Sequence, residues 1–251
     1  HQQFNRYRYA WEWVPENTEN LLDYGCFNGE FVNSLQVKVE HLFGVDVNEE
    51  AICKAKEDYS YINFSSIKIS PGKTDFPDKF FDVVTISDII EHVADQEEIL
   101  KEILKEIYRV LRPGGLLILS APHKGILAFC DSGNIKFRFP RLHKFIYFHV
   151  LRQEDYYSKR FADESIGLIG DISISKNMFH KHYIIKDIHK LLKLKFIIIK
   201  HKRFGLFARL IAIIHFIYQW LLGRPSKTLN TIDSIDQAVD FGCLAESIIL
   251  L

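Results

Sequence analysis

The stretch NLLDYGCFNGEFVNSL, residues 20–35, constrains the fold more than any other part of the chain. A short apolar run ends in Asp23, glycines at 25 and 29 bracket a tight turn, and an amphipathic pattern follows. A strand that passes through glycine into a helix opens a βαβ unit, because the next parallel strand can be reached only by a crossover. Such a turn also suits a ligand. It offers free backbone N–H groups at a helix start, at the carboxyl edge of the sheet, with no Cβ to hold a ligand away.

The rest of the first half keeps the same rhythm. Apolar runs predict strands at 20–24, 42–46, 63–69, 81–87 and 115–121, with helices between them. The clearest helix is DQEEILKEILKEIYRVL, 95–111, in which Ile99, Ile103, Ile107 and Leu111 recur at helical spacing. RPGG then ends it, since Pro113 cannot continue a helix and two glycines permit the reversal. From Pro122 to about His182 the alternation lapses into a stretch rich in Phe, Tyr, Lys and Arg, too long for an ordinary loop. Regularity returns with a helix near 184–194, a strand at 196–202, an apolar segment at 204–222 and a last apolar run, GCLAESIILL. The expectation is one α/β domain over 1–251. It comprises a cofactor-binding core to 121, a cap insertion after the fifth strand at 122–182, and a C-terminal part of the sheet from 183 that carries the apolar helix 204–222.

Charge narrows the partners only locally. Lys+Arg and Asp+Glu number 32 each, so net charge gives no argument for nucleic acid. Cys26, Cys53, Cys130 and Cys243 are scattered without a C-x-x-C pair, which argues against a zinc site or a disulfide framework and fits reduced thiols. HQQFNRYRYAWEWVP lacks the apolar core of a signal peptide, so a cytoplasmic setting is the expectation.

A second acidic residue, Asp46, closes the next predicted strand, LFGVDV, about 20 residues beyond the turn, where a carboxylate can take the hydroxyls of an adenosine ribose. A nicotinamide-binding G-x-G-x-x-G would need glycine where Phe27 and Glu30 stand, so that rival fits poorly. What the residues resemble is the class I S-adenosylmethionine-dependent methyltransferase family, whose first motif is an acidic residue, x, Gly, x, Gly, x, Gly. Asp23, Gly25 and Gly29 match it, and Phe27 replaces the middle glycine, which requires a loop that turns the side chain away from the ligand. TDFPDKFFDVVTISDIIEHV resembles the family's fourth-strand block. EIYRVLRPGGLLILSAPH is similar to its helix and fifth strand, close to the branch that holds quinone-biosynthesis methylases. The resemblance covers roughly 20–123. It implies a Rossmann-like doubly wound seven-stranded sheet with the last strand antiparallel, supplied by 240–251. It also implies S-adenosylmethionine as cofactor, held by Asp23, Gly25, Asn28, Gly29, Asp46 and Asp88. The acid often found near the end of the third strand is replaced by Ser70 or its neighbours.

Methyl transfer to a hydroxyl needs an acceptor held in line with the donor, stripped of water and relieved of a proton. Histidine suits that task near neutral pH. His123, directly after the fifth strand, is the first candidate, with His182 in NMFHKHY next. Glu91 and His92, after the fourth strand, resemble a pair that is usually structural.

Two segments outside the core should carry the acceptor's identity. FRFPRLHKFIYFHVLR interleaves aromatics and bases, as in nucleic-acid readers or in a plain aromatic core with solvated bases. Between Ile188 and Ile232 there are nine basic residues and no acidic one, flanking FGLFARLIAIIHFIYQWLL. Three readings of that segment stand: an anionic membrane surface with the helix in the interface, a lid, or a homodimer contact. The expected function is methyl transfer from S-adenosylmethionine to oxygen on a small or lipid-linked acceptor, a glycan, glycolipid or quinone intermediate. The alternative is a membrane-attached scaffold that binds the cofactor without turnover. Nucleic-acid methylation is disfavoured by the apolar segment and by the lack of a base-flipping tetrad.

Overall fold

The computed structural model describes residues 5–68, 72–93, 97–128, 139–150, 152–155, 158, 181–193 and 195–251. Ser70 and most of the expected cap lie outside them. Seven strands form one sheet: β1 (Thr18–Tyr24), β2 (Val39–Asp46), β3 (Asn63–Ser66), β4 (Phe81–Ser87), β5 (Leu111–Pro122), β6 (His201–Phe204) and β7 (Ser247–Leu250), in the order β3-β2-β1-β4-β5-β7-β6. The first five are joined in parallel, while β7 runs antiparallel to both β5 and β6. The order reverses between β1 and β4, and a ligand crevice opens at such a switch point, beyond the carboxyl ends of the strands.

β1 is buried on both faces from Asn20 to Tyr24, so Leu21 and Leu22 stand side by side instead of alternating with exposed polar residues. Leu22, with Val84, Ile86 and Ile107, belongs to one core, and Leu21, with Val32, Val83 and Ile118, to the other. Helices therefore cover both sides of the sheet. α1 (Asn5–Trp13), α2 (Glu30–Ser34) and α3 (Glu49–Asp58) precede α4 (Glu97–Val110), whose Leu100, Ile103, Leu104, Ile107 and Val110 are buried. The Glu106 carboxylate at its end accepts from the Thr74 N–H at 2.8 Å and the Thr74 hydroxyl at 2.6 Å. Arg109 donates to the Phe76 carbonyl at 2.8 Å and to Asp78 at 2.6 Å, so one turn of α4 fixes the loop that enters β4.

Several boundaries differ from the sequence-based expectation. β5 begins at Leu111, four residues before the expected start, because the RPGG turn is absorbed into the strand with a register shift between Phe81 and Val83. The expected strand at 196–202 is shifted to His201–Phe204, since Ile197 and Ile199 are 88% and 67% exposed and only the residues after them pair regularly with β7. The apolar segment 204–222 resolves into the end of β6 and a helix, Ala208–Leu222. α1 and a second helix, Lys227–Ala238, were not expected.

A tight crossing locks the end of β5 to the segment before β7. His123 donates its N–H to the Glu246 carbonyl at 2.7 Å, and Ile126 donates to Leu244 at 3.3 Å. A Cβ on Gly125 would sit 2.0 Å from the Ala245 carbonyl oxygen and 2.4 Å from that of Leu244, both backbone. Gly125→Ala should therefore cost about 1–3 kcal/mol, as overpacking does. Thermal unfolding checks it, with a fall in Tm of about 2–4 °C per kcal/mol at this chain length.

Candidate active site

The turn after β1 is held by its neighbours in the sheet. Gly25 and Cys26 both donate to the Val45 carbonyl, at 2.7 and 3.0 Å, and Gly29 donates to the Cys26 carbonyl at 2.9 Å. Gly25 and Gly29 take positive φ, 89° and 77°. The first packs so closely that an added Cβ would lie 1.9 Å from Ile89 Cδ1. Phe27 also adopts the left-handed region, φ 46°, a conformation that costs a side-chain-bearing residue about 1–2 kcal/mol. The consequence is orientation: Phe27 is 57% exposed, so the residue that replaces the middle glycine lies at the surface rather than in the core.

Asp46 explains how that conformation is kept. Its Oδ2 accepts from the Phe27 N–H at 2.8 Å, and its Oδ1 accepts from the Asn48 N–H at 2.8 Å, ahead of α3, where the Asn48 side chain caps Ala51 N at 3.1 Å. One carboxylate thus ties the glycine loop to the next helix start. A carboxylate has about four lone-pair sites, so two acceptances leave capacity for a vicinal diol.

Asp23 is buried near the end of β1. It is 3% exposed, in register with Thr85 and Gly44, and its Oδ1 accepts from the Thr85 hydroxyl at 2.6 Å. Burial pushes its carboxyl up to about 7, against the lowering effect of Thr85, with Asp46 adding to the rise. A carboxyl whose folded pKa exceeds its unfolded value stabilises the fold at low pH and loses that contribution as pH rises toward 7. Asp23→Asn keeps an acceptor for Thr85 and removes the charge. Its Tm should exceed the parent's at pH 8, by an effect on the order of a few kcal/mol, and the gap should close by pH 4. Scanning calorimetry at the two pH values checks this, and an equal gap at both would contradict it.

Asp88 follows β4 with φ 57°, its N–H donating to the Ser120 carbonyl at 3.3 Å, and so stands at the same edge. Asn28 is engaged with Glu30, donating to its carboxylate at 3.0 Å. Glu91 is buried, and the neighbouring Ile90 carbonyl accepts from the Tyr183 hydroxyl at 2.8 Å, which fits the structural reading of that pair of residues.

His123 is 2% exposed. Its Nδ1 lies 2.8 Å from the Ala245 carbonyl, and a carbonyl only accepts, so Nδ1 carries the proton and Nε2 keeps its lone pair. Burial lowers its pKa, with Arg203 and His182 acting the same way and the Ala245 carbonyl opposing. His182 is half-buried, adjacent to Tyr183, which bridges to His123 in parallel, so the two histidine candidates are neighbours. Thr85 and the Ala245 carbonyl were not expected from sequence. A polar residue inside VVTIS was the only available sign of the first.

The family model described as "Methyltransferase domain" matches residues 22–119. Over those residues the chain is similar to methyltransferase domains, which together with the relatives below supports a class I S-adenosylmethionine-dependent methyltransferase, and the sheet order agrees with it. S-adenosylmethionine is the cofactor of that class. A ubiquinone biosynthesis O-methyltransferase of Pseudomonas putida is 24% identical over 184 residues, 68% of this chain and 76% of that protein. The ubiquinone/menaquinone biosynthesis C-methyltransferase UbiE of Rickettsia bellii is 32% identical over 115 residues, 42% of this chain and 45% of that protein. Matches to curated relatives span as little as 38% of a relative's own length. The crystal structure of a Methanosarcina mazei protein described as among the SAM-dependent methyltransferases superposes over 96% of this chain and 94% of its own, with TM-score 0.53 and 18% identity, a likeness of fold.

Proposed function

We propose that this protein transfers a methyl group from S-adenosylmethionine to a hydroxyl of a small or lipid-linked acceptor, with quinone intermediates as the leading class and glycans or glycolipids behind them. The observation that carries the reading is the single carboxylate of Asp46, which anchors the glycine loop through Phe27 N and still has capacity for a ribose diol. In this reading the ribose sits on Asp46, the backbone of Gly25–Gly29 faces the cofactor's middle, and Asn28 and Asp88 face its methionine end. Asp23 supports the loop from beneath through Thr85. Ser70 remains a candidate beside the adenine.

Bound, the cofactor supplies an electrophilic methyl on sulfur. The protein's own work is to hold the acceptor oxygen in line, exclude water and take the hydroxyl proton. His123 is suited to the last task by its tautomer, because Nδ1 is pinned by Ala245 and Nε2 accepts. His182 is the neighbouring candidate. The P. putida relative's name supports oxygen and a quinone, and the R. bellii relative's name supports a quinone ring. The exposure of Phe27 supports turnover over a scaffold that only binds the cofactor.

Titration calorimetry with S-adenosylmethionine and S-adenosylhomocysteine tests the cofactor half. Transfer of labelled methyl to a panel of polyprenyl catechols, glycans and glycolipids, read by mass spectrometry, tests the acceptor half. No heat with either cofactor form contradicts the site. Binding without transfer to any member of the panel favours the scaffold.

A further inference from the structure

Between β6 and β7 the chain forms a helical hairpin, Ala208–Leu222 and Lys227–Ala238, turned at Gly223 with φ 66°. Both ends of the hairpin are rooted at the edge of the sheet that carries the glycine loop. Pro122 and Phe204 flank Ser247 from either side, and Phe204 bridges Asp240 where the hairpin returns. Asp236, buried on the returning helix, caps the outgoing one: its Oδ1 accepts from Leu206 N at 3.1 Å and its Oδ2 from Phe207 N at 3.0 Å.

The inner face is closed by Ile211, His215 and Asp236, all buried. Much of the exposed surface described on the hairpin is apolar, interrupted by Gln219, Thr228, Thr231 and Ser234. Ile214, Ile217 and Leu221 recur at spacings of three and four, as do Ile232, Ile235 and Val239, and these six are 45% to 65% exposed. At the turn Leu221 and Leu222, 65% and 56% exposed, stand beside the exposed Arg224 and Lys227. No acidic residue occurs from 189 to 231 to neutralise those bases.

Three other cations of the basic stretch have duties within the fold. Lys202 donates to the Ala238 carbonyl at 3.0 Å and lies 4.2 Å from the Tyr9 ring centroid, Lys200 lies 4.3 Å from that of Trp13, and Arg203 faces Asp240 at 3.9 Å. The outgoing helix, at about 22 Å for fifteen residues, is shorter than a bilayer core. Among the described residues no helix is long and apolar enough to cross a membrane. A surface that pairs exposed leucines with unneutralised bases at one tip fits the boundary between acyl chains and anionic headgroups. A symmetric contact between two such tips would set like charges against each other.

We propose that the hairpin is a docking surface for an anionic bilayer, its turn seating Leu221 and Leu222 at the acyl boundary while Arg224 and Lys227 meet headgroup phosphates. This stands apart from the methyl-transfer reading, since docking needs no cofactor. Its consequence is that the glycine-loop edge of the sheet is rooted beside the bilayer, within reach of a lipid-borne acceptor.

The test is co-sedimentation of the full chain with vesicles of phosphatidylcholine alone or with phosphatidylglycerol, at low and high salt, without cofactor. The intact protein should pellet with the anionic vesicles at low salt and be released by high salt. Arg224→Gln with Lys227→Gln should weaken partitioning on anionic vesicles by about tenfold or more. Leu221→Gln with Leu222→Gln should weaken it on both kinds of vesicle, with the circular dichroism spectrum unchanged. Should that second pair disturb the fold, the charge pair still decides. Intact protein that stays in the supernatant with anionic vesicles at low salt overturns the proposal. So does pelleting that neither pair reduces, and so does a dimer in solution that the leucine pair disperses, which would assign the face to a second copy.

Discussion

His123→Ala is expected to lower kcat by about 10²-fold or more while leaving the affinity for S-adenosylmethionine unchanged. The reason is the proton inventory of the ring. Nδ1 is committed to the Ala245 carbonyl at 2.8 Å, which leaves Nε2 as the acceptor, and burial keeps the imidazole neutral to lower pH than an exposed histidine. A lowered pKa has two consequences with definite signs. The acid limb of kcat/KM assigned to this base should fall below the ordinary histidine value near 6.5, because the reactive form is the unprotonated one. Stability should also fall as pH drops below the unfolded pKa, because the unfolded chain binds the proton more readily. A purely structural role predicts a different pattern. Losing the imidazole leaves a buried carbonyl without its donor, at a cost of about 1–3 kcal/mol. A pin between β5 and the segment before β7 would then lower Tm and cofactor affinity together, with rate loss following affinity. Single-turnover rates, calorimetric binding and the pH profile of the parent separate the two. A near-normal rate in the variant moves the role to His182 or to no side chain.

The parts of the fold legible in the sequence were those where one physical constraint acted alone. β4 falls at the expected residues, because FDVVTIS is buried on nearly every position and is bounded by charged residues on one side and Asp88 on the other. α4 was equally plain, its buried stripe standing against a charged remainder. The strand order was legible only through resemblance, since no run of apolar residues states which neighbour it pairs with. FIII at 196–199 misled, because an apolar run usually marks buried pairing and here it flanks an exposed edge. Lys227–Ala238 was missed for the opposite reason. KTLNTIDSIDQA is rich in Thr, Asn, Ser and Asp, which have low helix propensity, and its helix rests on tertiary contacts such as the Asp236 cap. In the site, Asp46 was readable from its spacing behind the glycines, but its bond to Phe27 N was not, because only the folded loop brings that N–H to the carboxylate. The lysines of the basic stretch were countable in advance, yet their stacking on Tyr9 and Trp13 depends on α1, which the sequence pattern did not reveal.

The second large effect belongs to Asp46. Asp46→Ala should weaken cofactor binding by about 10–150-fold, equivalent to about 1.5–3 kcal/mol, the range for a hydrogen bond to a charged group. Two contributions are lost together. One is the acceptor for the ribose hydroxyls. The other is the anchor for Phe27 N, which holds a left-handed residue in place; without it the loop can relax, and part of the binding energy goes to ordering it again. The contributions can be separated with Phe27→Gly, a residue that takes positive φ without strain. If loop ordering dominates the loss, adding Phe27→Gly to Asp46→Ala should recover part of the affinity, and if the ribose contact dominates it should not. A further comparison fixes where on the cofactor Asp46 acts. S-adenosylmethionine and S-adenosylhomocysteine share the ribose but differ in the positive charge on sulfur. A carboxylate on the ribose should therefore weaken both by the same factor when removed, whereas a carboxylate serving the sulfonium would weaken the charged form more. Calorimetry on the parent, the single variants and the double variant, with both ligands, gives all of these ratios. Unchanged affinity for both ligands in Asp46→Ala would take the ribose away from the end of β2, and with it the assignment of Gly25–Gly29 as the cofactor's cradle.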